Sequence, residues 1–451
     1  MQKTDFDIGN IIDRQPVRRI TVVLLGLCFL AMLSDGYNLG AASLAAPGIV
    51  KYFGIHRSAV APIFSAALLG MLVGALASGF LGDRFGRKRG IVLTTAIICL
   101  GSLGCAVSQG INALLMLRFL TGVGLGGLLP NVTALMSEFV PKRVRATFTA
   151  YAFMGITVGG ALPGIFSSLL LNGNWRGLFL AGGLIPLAIL PLLALMLPES
   201  LKFLVLRPGR EAELRLWLYR LAPDIEVPVT ARFVLNEPRQ RFALASLFDG
   251  NLRVITPVLW VAYINIMLVN FFVNSWLALV LTDIGLSQRQ AAGTASLYYV
   301  GGICGVLVIG RALDVVGPVM LAIYALLGCV ITALIALPGS PASLTYLLVA
   351  LVGLSILGAQ VGMSAITGLL YPTAIRSKGA GFAHSIGRLG AIAGPLLGGV
   401  LISKQSSFLT LFLVPVIPLS IAAISFLAIT WAWTGHLRGR GLAQIRQLQH
   451  K

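Results

Sequence analysis

The chain has 451 residues, of which 57% are hydrophobic and only 11% are charged. A soluble core could not bury this much apolar surface, so the composition excludes a water-soluble protein and indicates a polytopic membrane protein. The formal net charge of +19 would suggest a nucleic-acid partner in a soluble protein, but most of the 34 lysines and arginines fall in the tails and in alternate loops. This distribution is the positive-inside pattern, so it indicates two cytoplasmic termini and no nucleic-acid partner.

About twelve membrane-spanning helices are predicted from the ~20-residue length that a bilayer requires. Residues 1–19 are polar and show no cleavable signal pattern, so we expect the first helix to act as the insertion signal. The predicted spans are 20–41, 59–81, 90–108, 113–137, 147–171, 177–197, 253–281, 291–311, 317–337, 342–366, 379–402 and 407–434.

One long polar break, residues 198–252, divides the spans into two halves of six helices each. Within it, residues 211–221 are amphipathic and are predicted to lie on the membrane surface. Nothing in the break resembles a catalytic or nucleotide-binding domain, and we expect no enzyme activity, no cofactor and no metal site. The predicted domains are a cytoplasmic tail (1–19), a six-helix bundle (20–197), a cytoplasmic linker (198–252), a second bundle (253–434) and a cytoplasmic tail (435–451).

The loop between the second and third spans reads Gly-Asp-Arg-Phe-Gly-Arg-Lys-Arg from Gly82 to Arg89. Its five charges cannot lie in hydrocarbon, and its four basic residues place it at the cytoplasmic surface. Asp83 and Gly86 recur later as Asp314 and Gly317. At the same offset, Pro141 and Arg145 recur as Pro372 and Arg376. Two loop motifs that share one offset indicate an internal repeat, which is a transporter architecture.

The Gly82 to Arg89 run resembles the signature loop of the major facilitator superfamily. That resemblance covers nearly the whole chain and implies an all-α membrane protein with twelve transmembrane helices in two pseudo-symmetric six-helix bundles.

Four Asp, Arg or His residues lie inside the predicted spans and away from their ends, where each is a functional hypothesis because burial of charge is costly. Asp35 is the only carboxylate deep within a span, and it lies at a similar depth to Arg118. We interpret them as a pair that breaks during transport, so that protonation of Asp35 releases Arg118 to bind a substrate carboxylate. The alternative is a permanent buried ion pair that joins two helices.

Arg388 lies among glycines, and His384 is one turn earlier on the same helical face. The planar guanidinium of Arg388 suits a carboxylate. Its alternative role is to cap carbonyl groups of a neighbouring helix. His384 is interpreted as a proton-coupling residue, with a neutral, hydrogen-bonded histidine as the alternative.

Weaker candidates for substrate binding are uncharged polar or aromatic side chains within the spans. Tyr263, Asn270 and Asn274 share one helical face with Met267. Most aromatic residues in spans serve as packing or interfacial anchors instead. The remaining candidates for substrate binding are Tyr37, Asn38, Tyr151, Gln360 and Ser364.

A narrower resemblance rests on three helices. Residues 34–38 read Ser-Asp-Gly-Tyr-Asn, residues 118–127 read Arg-Phe-Leu-Thr-Gly-Val-Gly-Leu-Gly-Gly, and residues 387–391 read Gly-Arg-Leu-Gly-Ala. Together they resemble the aromatic acid:proton symporter family. This resemblance implies proton-coupled uptake of aromatic carboxylates across a bacterial inner membrane, with Asp35, Arg118 and Arg388 on motif positions. The family's first helix reads Asp-Gly-x-Asp, whereas this chain has the non-titrating Asn38 at the second acid.

The same resemblance implies a cytoplasmic gate that contains Asp83 and a basic residue such as Arg145. Glu138 lies at the cytoplasmic end of its span, where a surface role is expected. The complete set of predicted gating residues is Gly82, Asp83, Arg84, Gly86, Arg87, Glu138, Arg145, Asp314 and Arg376.

The sequence therefore predicts a monomeric, proton-coupled secondary transporter that imports a small organic anion by alternating access, such as a hydroxybenzoate or benzoate. Two alternatives remain open. One is an exporter of drugs or organic acids on the same fold, and the other is a membrane sensor of such acids.

Overall fold

A computed structural model describes residues 5–168, 174–207, 209–224, 232–234, 244–283, 285–336, 341–371 and 375–439. The side chains of Asp83 and Asp314, and the repeat residue Pro372, lie outside the described residues. The chain forms two compact units. Unit 1 comprises Met1–Gly54 and Pro62–Arg239, and unit 2 comprises Ile55–Ala61 and Gln240–Lys451.

Unit 1 is built from six long helices and a small group of short elements. In chain order its elements are β1 (Asp5–Asp7), α1 (Ile8–Arg14), α2 (Arg19–Phe53), α3 (Ala61–Phe85), α4 (Arg87–Val107), α5 (Ile111–Phe139), α6 (Lys142–Phe166), α7 (Trp175–Met196), α8 (Leu201–Val205), α9 (Glu211–Leu221) and β2 (Arg232–Val234).

Unit 2 repeats this long-helix pattern. Its elements are two 3-10 helices (Arg57–Val60 and Leu244–Phe248), followed by α10 (Leu252–Asp283), α11 (Gln288–Val316), α12 (Val319–Ile335), α13 (Ala342–Leu370), α14 (Arg376–Ser403), α15 (Phe408–Leu413) and α16 (Val416–Gly439).

Among the described residues, eleven helices are long and apolar enough to cross a membrane, and the shorter apolar helix α12 has 17 residues. The predicted all-α membrane fold is confirmed. Several boundaries differ from the prediction, and two differ most. The first helix continues to Phe53 rather than ending at residue 41, and the last predicted span is divided between α15 and α16. Pro47 lies inside α2, so the helix continues past this proline, as helices in a bilayer often do.

The internal repeat is visible in the packing of helices within each unit. In unit 1, a β-carbon on Gly70, Gly74 or Gly122 would overlap a backbone carbonyl of the facing helix, so α3 and α5 approach as closely as glycine allows. The equivalent contacts in unit 2 join α11 and α13 at the repeat positions Gly301, Gly305 and Gly353. Gly86 and Gly317 are also equivalent, since both have positive φ, +100° and +81°.

The region predicted to be an N-terminal tail is folded against the region predicted to be a linker. Strand β1 pairs in parallel with β2. Buried side chains of α1 and α9 share one apolar core with unit 1. The apolar face of α9 is therefore covered by protein, whereas the sequence had predicted that it lies on the membrane surface. These residues, here named the N-terminal cap, include Ile8, Ile11, Ile12, Leu214, Leu218 and Leu221.

Candidate functional site

Helices α2 and α5 bring two ionisable groups into the interior of unit 1. Asp35 on α2 is 2% exposed and Arg118 on α5 is 1% exposed. Each lies in a helix that is otherwise apolar, so the bilayer would not tolerate either side chain on a lipid-facing surface. Their burial within protein is the expected accommodation for such charges.

The contacts of Arg118 differ from the predicted pairing. Its Nη1 donates to the backbone carbonyl of Asn38 at 3.4 Å, and its guanidinium carbon lies 5.6 Å from the centroid of the Phe179 ring. Within the described part of the chain, the ion pairs at or below 4.0 Å do not include one between Asp35 and Arg118. The Nε of Arg118 is buried and has no hydrogen-bond partner among the described residues. This guanidinium therefore has donor capacity that a ligand could use.

Two further predicted residues of α2 lie in the same place. Tyr37 and Asn38 are both fully buried, at 0% exposure. They converge on Gly182 of α7, where an added β-carbon would lie 3.0 Å from Asn38 Oδ1 and 3.3 Å from the Tyr37 ring. The added β-carbon would also lie 2.7 Å from Ser102 Oγ, so the space at Gly182 is tight on more than one side. Sequence reasoning missed Gly182 and Phe179, because neither residue carries a charge.

Unit 2 contains a second group of polar side chains. His384 on α14 is hydrogen-bonded through Nε2 to Ser364 Oγ of α13 at 3.1 Å. The His384 and Tyr263 rings are 5.1 Å apart in an edge-to-face arrangement, and the Tyr263 hydroxyl lies 3.0 Å from Thr367 Oγ1. The predicted residues Tyr263, Ser364 and His384 are thus brought together.

Two asparagines of α10, Asn270 and Asn274, form hydrogen bonds with polar side chains of neighbouring helices. Asn270 donates to Gln360 Oε1 at 2.5 Å and accepts from the Tyr298 hydroxyl at 2.7 Å. Asn274 accepts from the Tyr299 hydroxyl at 2.9 Å. Sequence reasoning missed both tyrosines. Their adjacent positions in an apolar span were the available signal, because a buried tyrosine hydroxyl needs a polar partner.

The remaining two predicted residues of the spans are Arg388 and Tyr151. Arg388 is half-buried on α14, between Gly387, which packs near Tyr263, and Gly390, which approaches the backbone of α10 at Ile264. Tyr151 on α6 is 47% exposed.

At the loop between α3 and α4, acidic side chains of unit 1 meet the basic run. Glu138 is 7% exposed, so the surface role expected for it is wrong. It accepts a hydrogen bond from Ser200 Oγ, and its Oε1 lies 3.9 Å from Arg87 Nε. Glu199 accepts from the backbone N–H of Lys88 at 3.1 Å. The sequence had placed Glu199 in a linker, where one carboxylate among several carries no distinguishing signal.

Glycines and backbone groups complete this loop. Gly86 has the positive φ that brings its backbone against Glu199, and a β-carbon on Gly82 would lie 2.5 Å from Arg87 Nη1. The carbonyl of Arg84 accepts from Arg207 at 2.6 Å.

Arg145 has a partner that the sequence did not indicate. Its Nη2 lies 3.5 Å from Asp13 Oδ1 of α1, and its Nε donates to the Val140 carbonyl at 3.1 Å. In unit 2, Arg376 donates in the same way to the Tyr371 carbonyl at 3.4 Å. The two arginines are therefore equivalent in the repeat, and Arg145 has an ionic partner in Asp13 of α1.

Within the described residues, no group of three or more His, Cys, Asp and Glu side chains could hold a metal ion. The chemistry available is the binding of a small polar or anionic molecule and the movement of protons. Two helical units with buried charged residues inside apolar spans define a membrane transporter. Residues 27–359 and 259–447 each match the Major Facilitator Superfamily, and the chain belongs to that superfamily of transporters and is not an enzyme.

Relatives of this chain carry more specific descriptions. It is 35% identical over 444 residues to a gallate transporter of Pseudomonas putida, with 97% of each chain covered. It is 34% identical to the 4-hydroxybenzoate transporter PcaK of Acinetobacter baylyi, with 94% of each covered. The crystal structure of a bacterial homologue of the human lysosomal transporter Spinster shares the fold, with a TM-score of 0.66, 15% identity, and coverage of 93% of this chain and 99% of that one.

Proposed function

We propose that this protein is a monomeric, proton-coupled symporter that imports an aromatic carboxylate, such as a hydroxybenzoate, by alternating access. We place it in the bacterial inner membrane with both termini in the cytoplasm. The observation that carries the proposal is the buried Arg118, whose Nε has no hydrogen-bond partner among the described residues. Relatives described as gallate and 4-hydroxybenzoate transporters support the aromatic substrate class.

In the proposed cycle, a proton from outside binds the Asp35 carboxylate and neutralises it. The substrate carboxylate then binds Arg118, Arg388 or both, because a planar guanidinium matches a carboxylate in shape and charge. After the change in access, Asp35 releases its proton inside, and the anion leaves.

The hydrogen-bonded side chains of unit 2 are proposed to recognise the hydroxyl groups of the aromatic ring. Asn270, Gln360 and Tyr263 each carry groups that can exchange a partner within the protein for a ligand hydroxyl. Tyr37, Asn274 and Ser364 supply further polar groups, and His384 could take part in proton movement through its bond to Ser364. Tyr151 is retained in the proposed binding set as an aromatic side chain.

The cytoplasmic ends of the helices are proposed to act as a gate. Glu138, Arg87 and Arg145 have charged partners that would separate when the cytoplasmic side rearranges. Asp83, Asp314 and Arg376 are assigned to the same role by their positions in the repeat.

The test is transport in proteoliposomes that contain the purified protein. With an inward proton gradient, labelled 4-hydroxybenzoate should accumulate, and a protonophore should abolish the accumulation. Accumulation driven only by the opposite gradient would identify an exporter. Saturable binding without any passage across the membrane would identify a sensor and would refute transport.

A further inference from the structure

The Asn38 side chain is committed as a hydrogen-bond donor. Its Nδ2 donates to the Ser34 carbonyl of the same helix at 3.0 Å and to the Gly182 carbonyl of α7 at 3.0 Å. These two bonds use both N–H groups of the amide. They also fix its orientation, because the reversed amide would place its oxygen against two carbonyl oxygens. The amide therefore joins α2 to α7 inside a fully buried part of unit 1.

The backbone of the same residue contacts Arg118. The Asn38 carbonyl accepts from Arg118 Nη1 at 3.4 Å, while the guanidinium lies over Phe179, which is also on α7. Helix α7 thus fixes Asn38 by its Gly182 carbonyl and supports Arg118 by its Phe179 ring. A change in the position of Asn38 would move the acceptor that orients the guanidinium.

The neutrality of the amide matters as much as its position. A carboxylate has nearly the same shape as a carboxamide but has no N–H to donate. When ionised at this position, it would face the two carbonyl oxygens that the amide now bonds. It would also supply an anionic partner for the nearby Arg118, and a guanidinium bound to a protein carboxylate has less capacity for a substrate carboxylate.

We propose that Asn38 is a positioning residue that orients Arg118 and, because it is neutral, leaves the Arg118 Nε–H for the transported anion. This inference rests on the proposed function, in which Arg118 binds the substrate carboxylate. It adds that position 38 controls the strength of anion binding and its pH dependence without titrating itself. Asp35 then remains the carboxylate of α2 that responds to protons.

A purely structural role for Asn38 makes a different prediction. If the amide only joined α2 to α7, its loss would lower thermal stability and the amount of folded protein, but the remaining folded molecules would bind substrate normally. The Michaelis constant for transport, measured on folded protein, separates the two roles.

The experiment compares Asn38→Asp, Asn38→Ala and Asn131→Asp with wild type in proteoliposomes. Uptake of 4-hydroxybenzoate is measured at about pH 6 and about pH 8, and the carboxylic acid of this substrate is ionised in water at both pH values. Asn131 is the matched control. It is also a buried amide of unit 1, 1% exposed, and it donates to the Gly127 carbonyl at 2.9 Å. Thermal melting of each purified variant reports whether it is folded.

We expect Asn38→Asp to raise KM relative to wild type by about tenfold or more at the higher pH. This factor corresponds to the loss of one charge-assisted hydrogen bond between Arg118 and the substrate, taken at the low end of the usual range of such bonds. Burial in place of the amide disfavours the ionised form of the introduced carboxyl, so more of it is protonated at the lower pH and the ratio of KM values should be smaller there. Asn38→Ala should raise KM by the same factor at both pH values, and Asn131→Asp should show the pH dependence of wild type.

Three results would overturn the inference. They are a wild-type KM for Asn38→Ala, a wild-type KM for Asn38→Asp at both pH values, and a ratio for Asn38→Asp that does not change with pH. Because each pH comparison uses one protein sample, recovery at low pH also shows that the variant is folded. Failure of wild type to transport 4-hydroxybenzoate or gallate would instead refute the proposed function.

Discussion

Replacement of Arg118 by glutamine is the most direct perturbation of the candidate site. Glutamine is neutral, polar and shorter than arginine, so it removes the charge and the planar fork. A hydrogen bond to a charged group contributes about 1.5–3 kcal/mol. If Arg118 supplies one such bond to the substrate carboxylate, Arg118→Gln should raise KM for 4-hydroxybenzoate by about 10- to 150-fold.

The matched control is Arg176→Gln, because Arg176 is an arginine of the same unit whose bonds are made to protein. It donates to the carbonyls of Ala106 at 3.2 Å and Ser108 at 3.0 Å, and it lies over the rings of Tyr52 and Trp175. Its loss should lower the thermal midpoint but leave KM unchanged.

The assay is initial uptake of labelled 4-hydroxybenzoate into proteoliposomes under a fixed inward proton gradient, over a range of substrate concentrations. Thermal melting of the same preparations gives the stability of each variant. The assignment of Arg118 to the anion is refuted if Arg118→Gln keeps a wild-type KM, or if Arg176→Gln raises KM by a similar factor.

Three other outcomes are expected. Asp35→Asn should abolish accumulation against a concentration gradient but spare exchange of substrate, measured as counterflow; full proton-driven accumulation would remove Asp35 from the coupling role. Gly74→Ala should lower the thermal midpoint, because overpacking costs about 1–3 kcal/mol. The control Gly79→Ala, on the same helix, has nothing within 4 Å of its added β-carbon and should melt like wild type. Equal melting of the two variants would contradict the close packing of α3 and α5. Ile12→Ala should destabilise the N-terminal cap by about 2–5 kcal/mol, because it removes a buried side chain. Limited proteolysis should then cut the N-terminal segment faster than in wild type. An unchanged rate of proteolysis would show that the cap does not depend on this side chain.

The fold could be predicted because span length and the distribution of basic residues are local properties of the sequence. The amphipathic pattern even gave the bounds of α9, Glu211–Leu221. The surface that covers its apolar face could not be read from that pattern, because lipid and the apolar core of unit 1 satisfy the same residues. The partner of Asp13 was hidden for a related reason, since ion pairs between distant segments leave no spacing in the sequence.

At the candidate site, the sequence identified the residues whose burial is costly and missed those that support them. Asp35 and Arg118 stand out because charge is rare in an apolar span. Phe179 and Gly182 are ordinary residues for a membrane helix, and only the packing of α7 against α2 and α4 brings them to the site. The predicted ion pair between Asp35 and Arg118 rested on their similar depth in the membrane. Similar depth does not determine the distance between side chains on two different helices.

The pairing of β1 with β2 has a consequence for the order of assembly. The first strand leaves the ribosome before any helix of unit 1, but its partner is made only after α7. Ile8, Ile11 and Ile12 are therefore synthesised well before the apolar core that they share with α9 is complete. Closure of the cap then marks the completion of the first half of the chain, and a label or deletion at the extreme N-terminus would disturb this late step rather than membrane insertion itself.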